Sequence, residues 1–151
     1  KEDPGYDNGS YRFVYQPGMK IGATNTAIGV LAHLFTGTKP EDVAGAGMWL
    51  MKHNPPQYNG NLGPSSPGPP FPYYYTYYAT LDMFQIGGDL WKQWNESLKA
   101  MLVPNQRKDG DFDGSWDVLG GGHEKMAGRA YSTALAVLSL EIYYRYLPMY
   151  K

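Results

Sequence analysis

Three aspartates at alternate positions are the densest group of possible metal ligands in the sequence. Asp109, Asp111 and Asp113 lie in a glycine-rich stretch, and Gly114 follows the third aspartate directly. Carboxylates at this spacing form the first half of a calcium loop, because the chain must wrap around a large cation that prefers oxygen. The twelfth position of such a loop is Gly120, where a bidentate glutamate is usual. The pattern therefore predicts either a calcium site completed by Asp117 or Glu124, or a solvated acidic turn, which is the favoured interpretation.

A further carboxylate, Asp82, stands within an aromatic stretch that runs from Tyr73 to Ile86. A carboxyl group that is removed from water has a raised pKa, and such groups often act as proton donors in active sites. The other interpretation is structural, with the carboxylate paired to Arg129 or to a helix end. The structural pair is the favoured interpretation, and Asp82 is the candidate catalytic acid under the alternative one.

Aromatic residues are the most unusual part of the composition, with 14 Tyr and 4 Trp in 151 residues. An aromatic stripe at helical spacing either packs in a core or forms a surface that contacts sugar or lipid. The first role is the usual one for such a stripe, and four tyrosines are the candidate ligand-binding residues for the second: Tyr74, Tyr77, Tyr78 and Tyr131.

The composition excludes several kinds of chemistry. The absence of cysteine excludes a disulfide framework, thiolate zinc sites and cysteine catalysis. A net charge of −1 removes the basic surface that non-specific nucleic-acid binding requires. The three histidines share no metal-ligand spacing, and the sequence has no phosphate loop, dinucleotide fingerprint or serine triad. No apolar run reaches the roughly 18 residues that a membrane span needs.

Five helices are predicted to position these residues. Three are apolar nearly all round and two on one side only: 25–35, 73–86 and 130–147 are the first kind, and 41–53 and 89–103 the second. A helix that is apolar all round must be covered on every side, whereas a one-sided helix can form the cover. The alternation predicts an all-α fold with inner and outer helices, in which a proline-rich loop (54–72) and a glycine-rich loop (109–128) form the long connections.

A short turn motif precedes two of the apolar helices at nearly the same interval. Gly9-Ser10-Tyr11 ends fifteen residues before Thr26, and Gly114-Ser115-Trp116 ends seventeen residues before Thr133. With Gln106 upstream, the second turn resembles the Gln…Gly-x-Trp motif of the squalene cyclase and prenyltransferase repeat superfamily. The resemblance covers about residues 76–147 and, more loosely, 7–53. The chain also resembles bacterial squalene cyclase-like repeat proteins that have no assigned chemistry.

This resemblance implies a partial α/α toroid in which Gln106, Gly114 and Trp116 form a structural clamp between helix pairs. Terpene cyclases of the superfamily use an Asp-x-Asp-Asp acid, and the run from Asp109 to Asp113 fails at its fourth place. The zinc-dependent prenyltransferases and the thioester proteins of the same fold need a cysteine, which this chain lacks. The resemblance therefore implies the fold without its three known chemistries.

We expect one toroid-like domain over residues 1–151 that is a segment of a larger protein. The leading hypothesis is a non-catalytic module that binds a protein partner or an apolar or carbohydrate ligand through its aromatic face. The alternative is a fragment of a terpenoid cyclase-like or polysaccharide-acting enzyme with Asp82 as its acid. We expect no cofactor other than calcium, no nucleic-acid partner, and an open helical arc covered by self-association or by the rest of a toroid. The compartment stays open, and an exported or periplasmic location is favoured.

Overall fold

The computed structural model describes residues 11–58, 72–119 and 122–146, and within these ranges the chain is all-α with five α-helices and no strand. The helices are α1 (Ala23–Phe35), α2 (Pro40–His53), α3 (Pro72–Ile86), α4 (Gly88–Leu102) and α5 (Gly122–Tyr146), with short 3-10 turns at Val103–Asn105 and Gly110–Phe112. The predicted class and number of helices are confirmed. The predicted turn at 9–10 and most of the proline-rich loop, 59–71, lie outside the described residues.

The helices form two layers, and α3 is the central helix of the first layer. Helix α3 packs against each of the other four, while α1 and α5 both contact α3 and do not contact each other. Helix α2 contacts α1, α3 and α4, and α4 also contacts α5. One layer is therefore the row α1–α3–α5, and α2 and α4 form the second layer against it.

The core lies where the two layers meet, and Trp94 of α4 is its largest buried side chain. Its indole Nε1–H donates a hydrogen bond of 3.0 Å to the Thr80 hydroxyl of α3, so the buried polar atom is satisfied. Helix α2 approaches this region closely at Gly47. A Cβ there would lie 2.8 Å from the side chains of Ile86 and Leu90, so glycine sets the distance between the helices.

The predicted start of the last helix is wrong by one short helical segment. The sequence predicts a glycine-rich loop up to residue 128, whereas residues 122–127 are already helical. Gly128 has φ 75° and interrupts the helix, so the periodic apolar pattern begins only after it. The early segment matters because it carries Glu124 into the protein interior.

Candidate ligand-binding site

The structure brings three candidate tyrosines of α3 into ring contact and places Tyr131 of α5 near them. The ring centroids of Tyr74 and Tyr78 are 4.8 Å apart, and those of Tyr77 and Tyr78 are 5.4 Å apart with an interplanar angle of 74°. Tyr131 reaches the same group from α5, close enough to influence the Tyr78 hydroxyl. All four side chains are half-buried. We call this group the tyrosine face.

Aliphatic side chains from three helices support the tyrosine face from below. Leu31 of α1, Leu81 of α3 and Ile142 of α5 are buried together, and Tyr77 and Tyr78 pack against them. The spacing of Tyr74 and Tyr78, four residues apart, places the two rings on one side of α3. The tyrosine face is therefore supported by side chains from all three helices of the α1–α3–α5 row.

Two hydroxyl groups of the tyrosine face, those of Tyr78 and Tyr131, have a raised pKa. A hydrogen bond with Tyr74, followed by burial and the neighbouring phenols, raises the pKa of Tyr78 to about 12. Burial, Glu124 and Tyr74 raise the pKa of Tyr131 as well. Both phenols keep their protons and present groups that can donate and accept hydrogen bonds without charge.

A cavity of about 410 Å³ adjoins the tyrosine face at the beginning of α1. Its described lining consists of Tyr15, Gly22, Ala23, Thr24, Asn25, Ile28 and Tyr74. None of these lining residues is charged, and the volume falls within the roughly 300–1,000 Å³ typical of small-molecule pockets. The cavity and the tyrosine face share Tyr74, so they form one candidate site for a neutral ligand with an apolar surface.

Glu124 is a residue of the site region that sequence reasoning did not assign to it. The side chain is fully buried, and its Oε1 accepts a hydrogen bond of 3.2 Å from the backbone N–H of Tyr73 at the start of α3. A carboxylate at a helix N-terminus satisfies a free amide and interacts favourably with the helix dipole. Glu124 therefore fixes the start of α3, directly before Tyr74. Glu124 and Tyr73 are 51 positions apart, so no local sequence pattern indicates their contact.

The three predicted clamp residues lie between α4 and α5. The Gln106 side-chain amide donates to the carbonyl of Gly114 at 2.9 Å, and the Trp116 indole N–H donates to the carbonyl of Leu102 at 2.8 Å, in the last turn of α4. The Trp116 backbone N–H donates to the Thr133 hydroxyl of α5 at 3.2 Å. Gly114 has φ 79°, in the left-handed region that favours glycine. The turn thus connects the end of α4 to α5.

The N-terminal turn makes an equivalent contact, but in a register that differs from the sequence alignment by two residues. The backbone N–H of Phe13 donates to the Thr26 hydroxyl at 3.0 Å, as Trp116 does to its threonine. Tyr11 has φ 50° and so corresponds to Gly114. The counterpart of Trp116 is therefore Phe13, and the predicted correspondence with Tyr11 is wrong.

Arginines occupy part of the aspartate loop. Arg107 donates two hydrogen bonds to Asp109, at 2.6 and 2.7 Å, and the pKa of Asp109 is lowered by this contact first of all. Arg107 and Arg129 also bind Asp117, at 2.9 and 2.6 Å. The other two aspartates of the loop are exposed, and within the described ranges no group of three or more metal-ligating side chains comes together. Asp117, bound by the arginines, and Glu124, bound to the Tyr73 amide, are both engaged elsewhere. The calcium site at Asp109, Asp111 and Asp113 and the solvated acidic turn both stay predictions.

Asp82 is fully buried, and neither of its carboxylate oxygens has a hydrogen-bond partner among the described residues. Burial raises its pKa well above the ordinary value. The alternative of an ion pair with Arg129 is wrong, because that guanidinium binds Asp117 at 2.6 Å and the Ser115 hydroxyl at 3.0 Å. Burial, with the nearby Asp82 carboxylate, also raises the pKa of Tyr75. Asp82 is not among the described residues that line the cavity beside Tyr74.

Comparison of the chain with protein-family models, curated proteins and solved structures found no match. None of the helices described above combines the length and the apolar character needed to cross a membrane. The geometry of the site is therefore the basis on which a function can be assigned.

Proposed function

We propose that the protein is a non-catalytic helical binding module that takes a neutral ligand, a carbohydrate or an apolar molecule, on its tyrosine face. The observation that carries this proposal is the continuity of four half-buried tyrosines with a cavity of about 410 Å³ whose described lining is uncharged. Tyrosine offers both an apolar ring and a polar hydroxyl, which suits recognition of a neutral molecule.

The partial exposure of the tyrosines supports a binding role, because Tyr77 and Tyr78 pack against buried core side chains but keep part of their surface open. The core between the layers is filled by Trp94 and its neighbours, whereas the tyrosine face stays partly open to solvent. A contiguous aromatic surface that folding does not cover typically marks an interaction site. The same rings would be more stable in the core if packing were their whole role.

The arrangement of the helices supports the toroid-repeat assignment. An inner row of α1, α3 and α5 with α2 and α4 behind it is the neighbour pattern expected for an arc of alternating inner and outer helices. The hydrogen bonds from the backbone N–H of Phe13 to the Thr26 hydroxyl, and from that of Trp116 to the Thr133 hydroxyl, join a preceding turn to two helices of that row. Both features favour a repeat architecture in which the tyrosine face lies on the inner row.

A binding screen with the purified chain tests this function. We expect at least one member of a panel of neutral hexasaccharides and isoprenoid alcohols to raise the melting temperature and to be recovered unchanged. Tyr78→Leu should weaken that binding by about tenfold, the loss of one aromatic contact, while Met126→Leu, at an exposed side chain outside the tyrosine face, serves as the control. Conversion of the bound ligand would overturn the non-catalytic assignment, and a panel without any binder would overturn the binding module itself.

We also propose that the open flanks of the inner row are covered by a second copy or by further repeats of a larger toroid. Phe35 of α1 is 65% exposed and Tyr144 of α5 is 74% exposed, and the two helices do not contact each other. Exposed apolar side chains on unpartnered helices favour association. Light scattering coupled to size exclusion measures this directly. A single 16.9 kDa species over a hundredfold dilution series would exclude self-association of this chain.

The second candidate function is an enzyme fragment whose acid is Asp82. One observation favours it: a carboxyl group that is fully buried without a partner keeps its proton and can donate it. Product analysis on any ligand found in the screen tests this alternative. Turnover that disappears in Asp82→Asn, with binding retained, would establish it.

A further inference from the structure

We infer that the ligand of this site is a neutral carbohydrate, with one sugar ring in the cavity between the tyrosine face and the start of α1. This inference rests on the proposed binding function and narrows its ligand class. It depends on three properties of the cavity: the aromatic rings that line it, the neutral polar groups at its α1 end, and the absence of charged side chains from its described lining.

Two tyrosines give the cavity its aromatic surface. Tyr74 is held from α3 by its ring contact with Tyr78 at 4.8 Å, whereas Tyr15 comes from the segment before α1 and is 74% exposed. A pyranose ring presents an apolar C–H surface on each side and hydroxyl groups around its edge. Such a ring can pack against a tyrosine while its hydroxyls bond to polar groups nearby.

The lining of the cavity is mostly apolar. The choice of a sugar over a hydrocarbon therefore rests on the few polar groups at its α1 end, which include the Thr24 hydroxyl, buried without a hydrogen-bond partner among the described residues. Asn25 contributes a side-chain amide, and Gly22 has no side chain with which to accept the first free N–H groups of α1. A hydrocarbon placed over these groups would remove water from them without replacing its hydrogen bonds, which costs binding free energy. Sugar hydroxyls both donate and accept, so they restore the bonds that water made.

The lining also favours a neutral sugar over an acidic one. No described lining residue carries a charge that could pair with a carboxylate or phosphate. An ion that loses its hydration without a counter-charge binds poorly. Uronic and phosphorylated sugars should therefore bind less well than neutral ones of the same length.

Isothermal titration of the full chain with defined probes tests the ligand class. The probes are cellohexaose, maltohexaose and chitohexaose as neutral sugars, hexagalacturonate as the acidic sugar, and farnesol, an isoprenoid alcohol, as the largely apolar probe. We expect at least one neutral hexaose to bind about tenfold or more tightly than the other two kinds of probe, since each lost or unpaired polar contact is of that order. Equal binding of the neutral and acidic sugars would overturn the neutrality of the site.

Variants of residues that line the cavity test whether the sugar binds there. Tyr15→Ala should weaken hexaose binding by about tenfold through the lost ring, while Met126→Ala removes an exposed side chain outside the cavity and the tyrosine face and should leave binding unchanged. Gly22→Ser supplies a capping hydroxyl that competes for the free amides of α1, so binding should weaken while the melting temperature holds or rises. Lys39→Ser adds the same cap to α2, which also begins without one, and is the matched control.

The outcomes separate the ligand class from the general binding function. Binding of farnesol without any hexaose would overturn the carbohydrate inference and leave the binding module in place. Binding of no probe at all would overturn both. Hexaose binding that Tyr15→Ala and Gly22→Ser leave unchanged would move the sugar out of this cavity and overturn the inference as stated.

Discussion

Replacing Asp82 with asparagine is expected to stabilise the fold at neutral pH, by an amount that depends on pH in a defined direction. The carboxyl group is fully buried, its oxygens have no partner among the described residues, and burial raises its pKa well above the ordinary 3.8. The folded chain therefore holds a proton that the unfolded chain releases between pH 3.8 and the raised value. Stability is full below pH 3.8 and falls as the pH rises through this window.

The size of the effect follows from proton linkage. One proton bound in the folded state and released on unfolding lowers the free energy of unfolding by about 1.4 kcal/mol for each pH unit in the window. Asparagine has nearly the same shape and does not titrate, so the variant should lose this slope and keep the packing. The surface aspartate Asp109 acts in the opposite direction, because Arg107 lowers its pKa and its contribution is lost as the pH falls.

Urea unfolding of the native chain and of Asp82→Asn, at half-unit steps from pH 4.5 to 8, measures the difference. We expect the two chains to converge at the acidic end and the variant to gain stability over the native chain as the pH rises. Asp111→Asn, an exposed aspartate, is the control for removal of a carboxylate. A stability difference that stays constant across the series would refute the assignment of a buried, protonated carboxyl group.

Three further changes test other parts of the structure. Trp116→Phe leaves the Leu102 carbonyl without its donor and should lower the free energy of unfolding by about 1–3 kcal/mol in urea. Glu124→Gln keeps a hydrogen-bond acceptor but removes the charge at the start of α3, so urea unfolding should show a smaller loss, about 0.3–2 kcal/mol. Calcium at millimolar concentration should leave the melting temperature unchanged, because Arg107 already binds Asp109. A rise would instead establish the aspartate loop as a calcium site.

The sequence was sufficient to predict the class, the number of helices and the grouping of three tyrosines, because each depends on local spacing. Tyr74 and Tyr78 are four residues apart, and a helix places such a pair on one side. The boundaries of the first four helices lie within two residues of the predicted ones, since proline and glycine interrupt the pattern nearby. Helix α5 was predicted to start too late because Gly128 separates the short first segment, 122–127, from the apolar segment that the sequence pattern reveals.

The contacts that could not be predicted all join residues distant in sequence. Arg129 was expected to reach Asp82 and instead binds Asp117, which the turn after α4 places beside it. Glu124 meets Tyr73 across 51 positions, a contact that depends on how α5 enters the fold. Sequence patterns show which polar or charged residues need a partner inside the fold, but tertiary packing decides which partner comes within reach.

These distant contacts give the turn after α4 a role in positioning the ligand site. The Tyr73 hydroxyl donates to the carbonyl of Asp117 at 2.9 Å, and its backbone N–H donates to Glu124. Arg107 and Arg129 hold the side chain of the same Asp117. Tyr74, which belongs to both the tyrosine face and the cavity, follows in the next position of α3. The segment that resembles a structural repeat motif therefore sets the orientation of the first turn of α3, and through it the surface on which we place the ligand.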